Sequence, residues 1–162
     1  MATVTATTTY ATRPELGDFS SIACFKALVT GTEEALGEKA AAIALIAAGR
    51  VRGKQLVEQL GMTGKLTNLE ELTKILQKAL GPEGTRLCLV DKIVDDGNVI
   101  LVYCRETICS FNESAGSSRN LTYTLGALQG ALEQGMGKRL RGKQVESVLR
   151  GGSHDVISFE MI

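Results

Sequence analysis

This sequence predicts an α+β domain: a four-stranded antiparallel sheet built from two hairpins, with about four helices packed mainly on one face. Three observations carry the prediction. Apolar residues recur three or four apart in four separate stretches, as they do on one face of a helix. Two runs rich in β-branched and aliphatic residues, Thr85 to Val94 and Val99 to Phe111, flank the hairpin signal Asp95-Asp96-Gly97-Asn98. A second strand pair, Lys138 to Leu149 and Asp155 to Ile162, surrounds the turn Arg150-Gly151-Gly152-Ser153-His154. Three helices, a hairpin, a helix and a hairpin follow in that order, the segregated arrangement that defines the class.

Residues 1–17 read as a flexible N-terminal arm, since Met1 to Thr12 holds six threonines and no apolar periodicity. A single domain is expected over residues 18–162. Asp18 would cap a first helix carrying Ile22, Phe25 and Val29 and ending near Leu36, where Gly37 offers a stop. The second helix runs to Gly61 with Ile43, Ile46, Val51, Leu56, Val57 and Leu60; its segment from Ala40 to Ala48 is apolar nearly all round, which implies burial against more than one neighbour. Asn68 opens a third, with Glu70 and Glu71 where the dipole favours negative charge, Leu69, Leu72, Ile75, Leu76 and Leu80 on its apolar face, and Gly81-Pro82 as its stop. In the first hairpin both strand faces carry apolar residues, so the pattern leaves open which face meets the helices. Asn112 to Asn120 is a polar loop. The fourth helix carries Leu125, Leu128, Leu132 and Met136 on one stripe, with Gly126 and Gly130 four apart on the next. Each glycine lowers helix propensity by roughly 1 kcal/mol, so the pair implies close approach of another backbone or of a long apolar ligand. Ile157, Phe159 and Met161 alternate with polar neighbours, the mark of a strand buried on one face.

Composition excludes several function classes. Eighteen basic and eighteen acidic residues cancel, and aromatics make up only 4% of the chain, so neither an overall field nor a stacking surface for nucleic acid is present. The longest apolar run, Ala40 to Ala48, falls short of the roughly 20 residues needed to span a bilayer, and no secretory leader is visible. A cytoplasmic protein is expected. Cys24, Cys88, Cys104 and Cys109 form no Cys-x-x-Cys pair and have one histidine for company, so they read as buried thiols rather than as zinc ligands. Cys88 and Cys104 would lie near one another across the first hairpin. No G-x-G-x-x-G or P-loop spacing occurs among Gly49, Gly53, Gly61 and Gly64.

The run Leu125-Gly126-Ala127-Leu128-Gln129-Gly130-Ala131-Leu132-Glu133, the segment Val145 to Gly152 and the final strand resemble the C-terminal half of the Bet/TRAPP vesicle-tethering subunits and of their prokaryotic relatives, the four-vinyl-reductase or hydrocarbon-binding domains. The resemblance is to a prokaryotic-type member. It implies a non-enzymatic domain without a cofactor, a homodimer formed through the two N-terminal helices, and a pocket for a fatty-acyl or other hydrocarbon chain. The tethering subunits carry an acyl chain on a cysteine before the third helix; that position falls at or near Leu66 here, so a ligand would be held without a bond. The paired cysteines of some four-vinyl-reductase domains are also missing, with Leu149 and Ile157 in their places beside Glu146 and Phe159. The expected lining is Leu69, Leu72 and Leu76 from the third helix with Leu125, Gly126, Leu128, Gly130 and Leu132 from the fourth. The alternative is a ligand-free adaptor that recruits proteins on its outer surface.

Two further groups bear on function. Ser153, His154 and Asp155 are consecutive and cannot face one another as a nucleophile, base and orienting acid, so they read as turn chemistry. Arg50, Arg52 and Lys54, and Lys138, Arg139, Arg141 and Lys143, read as solvated faces, with reception of a headgroup, carboxylate or phosphate as the alternative.

Overall fold

The computed structural model describes Glu15 and residues 20–162. Most of the expected N-terminal arm, and the Asp18 cap, lie outside the described residues. Four helices, α1 (Ile22–Leu36), α2 (Glu38–Gln59), α3 (Leu69–Leu80) and α4 (Tyr123–Met136), accompany strands β1 (Leu89–Asp95), β2 (Val99–Arg105), β3 (Leu140–Glu146) and β4 (Asp155–Met161). The antiparallel sheet has the order β1-β2-β4-β3, so each hairpin contributes one central and one edge strand. This is the α+β architecture expected from the sequence.

Local chemistry accounts for the helix ends. Ser21 accepts from the Ala23 amide at 3.1 Å to cap α1, and Asn68 accepts from Glu70 at 2.8 Å to cap α3. Gly37, at φ 79°, ends α1 and begins α2 without an intervening loop. The strands are shorter than their β-rich runs. The amides of Thr85, Leu87 and Cys88 bond to Ala79 and Leu80 carbonyls at the end of α3 and are lost to the sheet. Beyond β2, Glu106 takes φ 51°, and Thr107 starts a tight turn rather than more strand. Its hydroxyl and that of Ser110 donate to the fully buried Asp155 carboxylate at 2.7 and 2.8 Å, and the Val148 amide does so at 3.1 Å, so one carboxylate gathers the exits of β2 and β3 at the start of β4.

Ile100, Val102 and Cys104 of β2, with Ile157 and Phe159 of β4, point to the helices, which resolves the face that periodicity left open. α3 packs on β1 and α4 on β3, while α2 packs across α4 and α1 on α2. α4 is therefore buried nearly all round.

The α2–α4 crossing is made of four glycines. A Cβ on Gly126 or Gly130 would stand 2.0 Å from the Ile46 or Arg50 carbonyl oxygen of α2. Reciprocally, a Cβ on Gly49 or Gly53 would stand 2.1 or 2.0 Å from the Tyr123 or Ala127 oxygen of α4. Backbone meets backbone there. Beside the crossing Glu133 is almost fully buried, and Arg50 of α2 grips it with Nε at 2.7 Å and Nη2 at 2.9 Å. The Leu140 amide of β3 donates to the same carboxylate at 3.0 Å, so this one side chain joins α2, α4 and the sheet. Burial alone would raise its pKa; the Arg50 fork, the Leu140 amide and Gln129 outweigh burial and hold it below the usual glutamate range.

Three predictions follow from the crossing and its ion pair. Gly126→Ala or Gly130→Ala should destabilise the protein by about 3 kcal/mol, the upper end for overpacking, whereas Gly31→Ala on the open side of α1 should gain up to about 1 kcal/mol from helix propensity. Urea denaturation midpoints measure both. Arg50→Met leaves the buried carboxylate without its fork and should cost about 3 kcal/mol. Because the folded pKa of Glu133 is depressed, its stabilising contribution is complete above the ordinary glutamate value of about 4.3 and is lost as pH falls through the folded value. The gap in denaturation midpoint between wild type and Glu133→Gln should accordingly narrow in acid.

Candidate ligand-binding cleft

The α2–α4 crossing decides where space remains. Leu72, Leu76, Leu128 and Leu132 have no exposure and Leu125 has 5%, all within one continuous core that Leu69 flanks. Gly126 and Gly130 are occupied by α2, so of the two partners their spacing allowed, the backbone is the one present. None of the eight residues expected to line a pocket borders either of two clefts among the described residues. Leu66, where the resemblance would place an acylated cysteine, is a buried leucine packed on Gly135.

The larger of the two, about 870 Å3, opens at the edge of the α2–α4 crossing. Its walls are the first half of α1, with Cys24, Phe25 and Leu28, and the loop from Glu83 to Leu87 that follows α3. Its floor is Leu56 and Gly53 of α2, Leu80 of α3, and Tyr123 and Ala127 of α4. Phe25 meets Tyr123 edge to face with ring centroids 4.8 Å apart, joining the α1 wall to the floor. Burial raises the pKa of the Tyr123 phenol, against the opposing pull of the nearby Arg52 charge. The volume falls in the range of ordinary small-molecule sites, and a mainly apolar lining with a few polar groups is their usual chemistry.

α1 is held as a wall by the apolar cluster of Val29 with Ala41 and Leu45 of α2 and by charge. Lys26, buried, donates to the Cys109 carbonyl and pairs with Glu113, both at 2.7 Å, and Glu33 near the helix end pairs with Arg119. Behind that pair lies a second cleft, about 510 Å3, between Glu34, Glu38, Ala42 and Ile46 on one side and Ser117 to Thr122 on the other.

The histidine has an acidic partner, but not the adjacent one. His154 Nε2 lies 3.0 Å from Asp91 Oδ2 of β1, and Ser153 Oγ lies 2.8 Å from Nδ1, while Asp155 points into the core. Arg105 grips the same Asp91 carboxylate through Nε and Nη2, the latter at 3.0 Å. Arg105 foremost, with His154, holds the Asp91 carboxyl below its ordinary range despite opposing desolvation. The chain Ser153–His154–Asp91–Arg105 ties the β3–β4 turn to edge strand β1. It borders neither cleft, and the Ser153 and Gly152 amides are spent on Glu146 and Ser147, leaving neither of them to receive an oxyanion.

The Cys104 thiol is fully buried, and the adjacent Cys88 thiol and burial push its pKa well up, the opposite of a reactive cysteine. Cys24 is exposed and Cys88 and Cys109 are buried, all four thiols being unlinked. No cluster of three His, Cys, Asp or Glu side chains arranged for a metal ion occurs among the described residues. No helix among them is long and apolar enough to cross a membrane.

No family model and no curated protein matches the sequence. Solved structures do match in shape. The phenol-responsive sensory domain of the transcription activator PoxR, with phenol, superposes at a TM-score of 0.67 and 14% identity, over 89% of this chain and 76% of that one. Subunit 3 of the trafficking protein particle complex of Naegleria fowleri, covalently bound to palmitic acid, gives 0.59 at 15% identity, over 87% and 92%. A vinyl-4-reductase family protein of Methanocaldococcus jannaschii gives 0.49 at 17% identity, over 86% and 78%. The chain has the fold shared by the trafficking-particle subunit and the phenol-responsive sensory domain.

Proposed function

We propose that this chain is a non-enzymatic binding domain that holds a small apolar or amphipathic molecule, a fatty-acyl or other hydrocarbon chain among them, without a covalent bond. The observation that carries the reading is the cleft between α1 and the loop after α3, with aromatic and aliphatic walls and about 870 Å3 of space. Its support from the comparisons is that two structures of the same fold hold small molecules with apolar bodies, phenol in one and palmitate in the other. Leu66 in place of a cysteine supports attachment without a bond. Four unlinked thiols, two of them side by side in the core, are in keeping with a reducing, cytoplasmic setting.

An environment-sensitive apolar dye should brighten on binding the wild-type protein. Cys24→Trp, which fills the cleft from an exposed position, should abolish that signal while leaving the thermal midpoint unchanged. Full dye binding by a folded Cys24→Trp protein would remove the cleft from consideration.

A second surface favours self-association, which the adaptor reading shares. Leu28, Leu36, Ile43 and Val51 of α1 and α2 are 57 to 74% exposed, Leu28 at the edge of the cleft. Isolated exposed apolar residues are ordinary, but four on adjoining helices are suited to a homodimer contact. Ile43→Asp should convert a dimer to a monomer in light scattering without loss of helix content; a monomeric wild type would refute the dimer.

A further inference from the structure

We infer that the molecule held in this cleft is an anionic amphiphile whose carboxylate is received by Arg52. The inference rests on the cleft being the ligand site and adds the chemistry of its polar end.

The three cations of the run Arg50, Arg52 and Lys54 meet different fates. Arg50 lies 2.7 Å and Lys54 3.8 Å from Glu133, so both answer a carboxylate of the protein. Arg52 sits on the other side of α2, half-buried, and lines the cleft. Its side-chain hydrogen bond goes to the neutral Gln59 amide oxygen at 3.3 Å, and no carboxylate among the described residues stands within ion-pair distance of it. Glu83, the acidic side chain on the cleft wall, pairs instead with Lys78 at 3.9 Å.

A guanidinium beside an apolar floor, answered only by a neutral amide, leaves donors of its planar fork for a visiting anion. A carboxylate matches that fork with two parallel hydrogen bonds, and such charge-assisted pairs are about twice as strong as neutral ones. Phe25, Leu56, Leu80 and Ala127 then receive the apolar body deeper in the cleft. Arg52 and Tyr123 line the same cleft, which puts the guanidinium beside that floor. A long-chain or aromatic carboxylic acid fits both halves of the site; a neutral hydrocarbon uses only one.

The test compares decanoate with decanol, which share a chain and differ in the head group, by isothermal titration to wild-type protein and to Arg52→Gln. Decanoate should bind wild type at least about tenfold more tightly than decanol. Arg52→Gln should erase that preference, bringing decanoate to the affinity that the same variant has for decanol. Equal affinities in wild type, or a preference that survives Arg52→Gln, would overturn the role of Arg52 while leaving the cleft as a hydrocarbon site. Binding of neither compound would overturn both. Should Arg52→Gln fail to fold, the wild-type comparison decides, together with its repeat below the carboxyl pKa, where the preference should vanish.

Discussion

The crossing of α2 and α4 on four glycines is the constraint on which the rest of the molecule depends. With Gly49 and Gly53 against Gly126 and Gly130, the two helix backbones touch through their carbonyl oxygens, and no side chain separates them. Each glycine forfeits roughly 1 kcal/mol of helix propensity, a cost offset by dispersion between closely packed backbones and by the ion pair beside them. The Arg50–Glu133 fork adds direction, because it forms only when the helices have the register that also delivers Glu133 to the Leu140 amide. Glu133 thereby joins sheet, α4 and α2 in three successive layers.

That tightness decides where open space is left. Leu72, Leu76, Leu128 and Leu132 are wholly enclosed between α3 and α4. Space is left instead between the first half of α1 and the loop after α3, where Phe25 reaches Tyr123 across the floor. Val29 packs with Ala41 and Leu45 to seat α1 on α2, and Lys26 and Glu33 fasten its middle and end to the loops around Cys109 and Arg119. The same loops lead through Thr107 and Ser110 to the buried Asp155, so the cleft wall is braced against the sheet.

Much of the fold was legible in the sequence because it is written locally. Asn68 with Glu70 and Glu71 marks the start of α3, Asp95 to Asn98 marks the hairpin, and Leu125, Leu128 and Leu132 mark the buried face of α4. Strand ends were less legible, since hydrogen bonds from Thr85 and Leu87 back to α3, and from Thr107 to Asp155, depend on distant partners. Periodicity told that Gly126 and Gly130 share a stripe but not what they meet; the matching four-residue spacing of Gly49 and Gly53 was the signal that would have paired them. The cleft was the least legible part. Phe25, Arg52, Leu87 and Tyr123 are far apart in the chain, and Asp91 lies sixty-three positions from the histidine it holds.

Cys24 offers the most direct test of where a ligand sits, because it is the exposed thiol and lines the cleft, while Cys88, Cys104 and Cys109 are buried. The measurement is its alkylation rate in native protein, followed by mass spectrometry with and without saturating decanoate. Slower labelling of Cys24 in the presence of bound decanoate, with the three buried thiols unreactive throughout, is the result this account predicts. Decanoate that binds yet leaves the Cys24 rate unchanged would place the ligand elsewhere and contradict it.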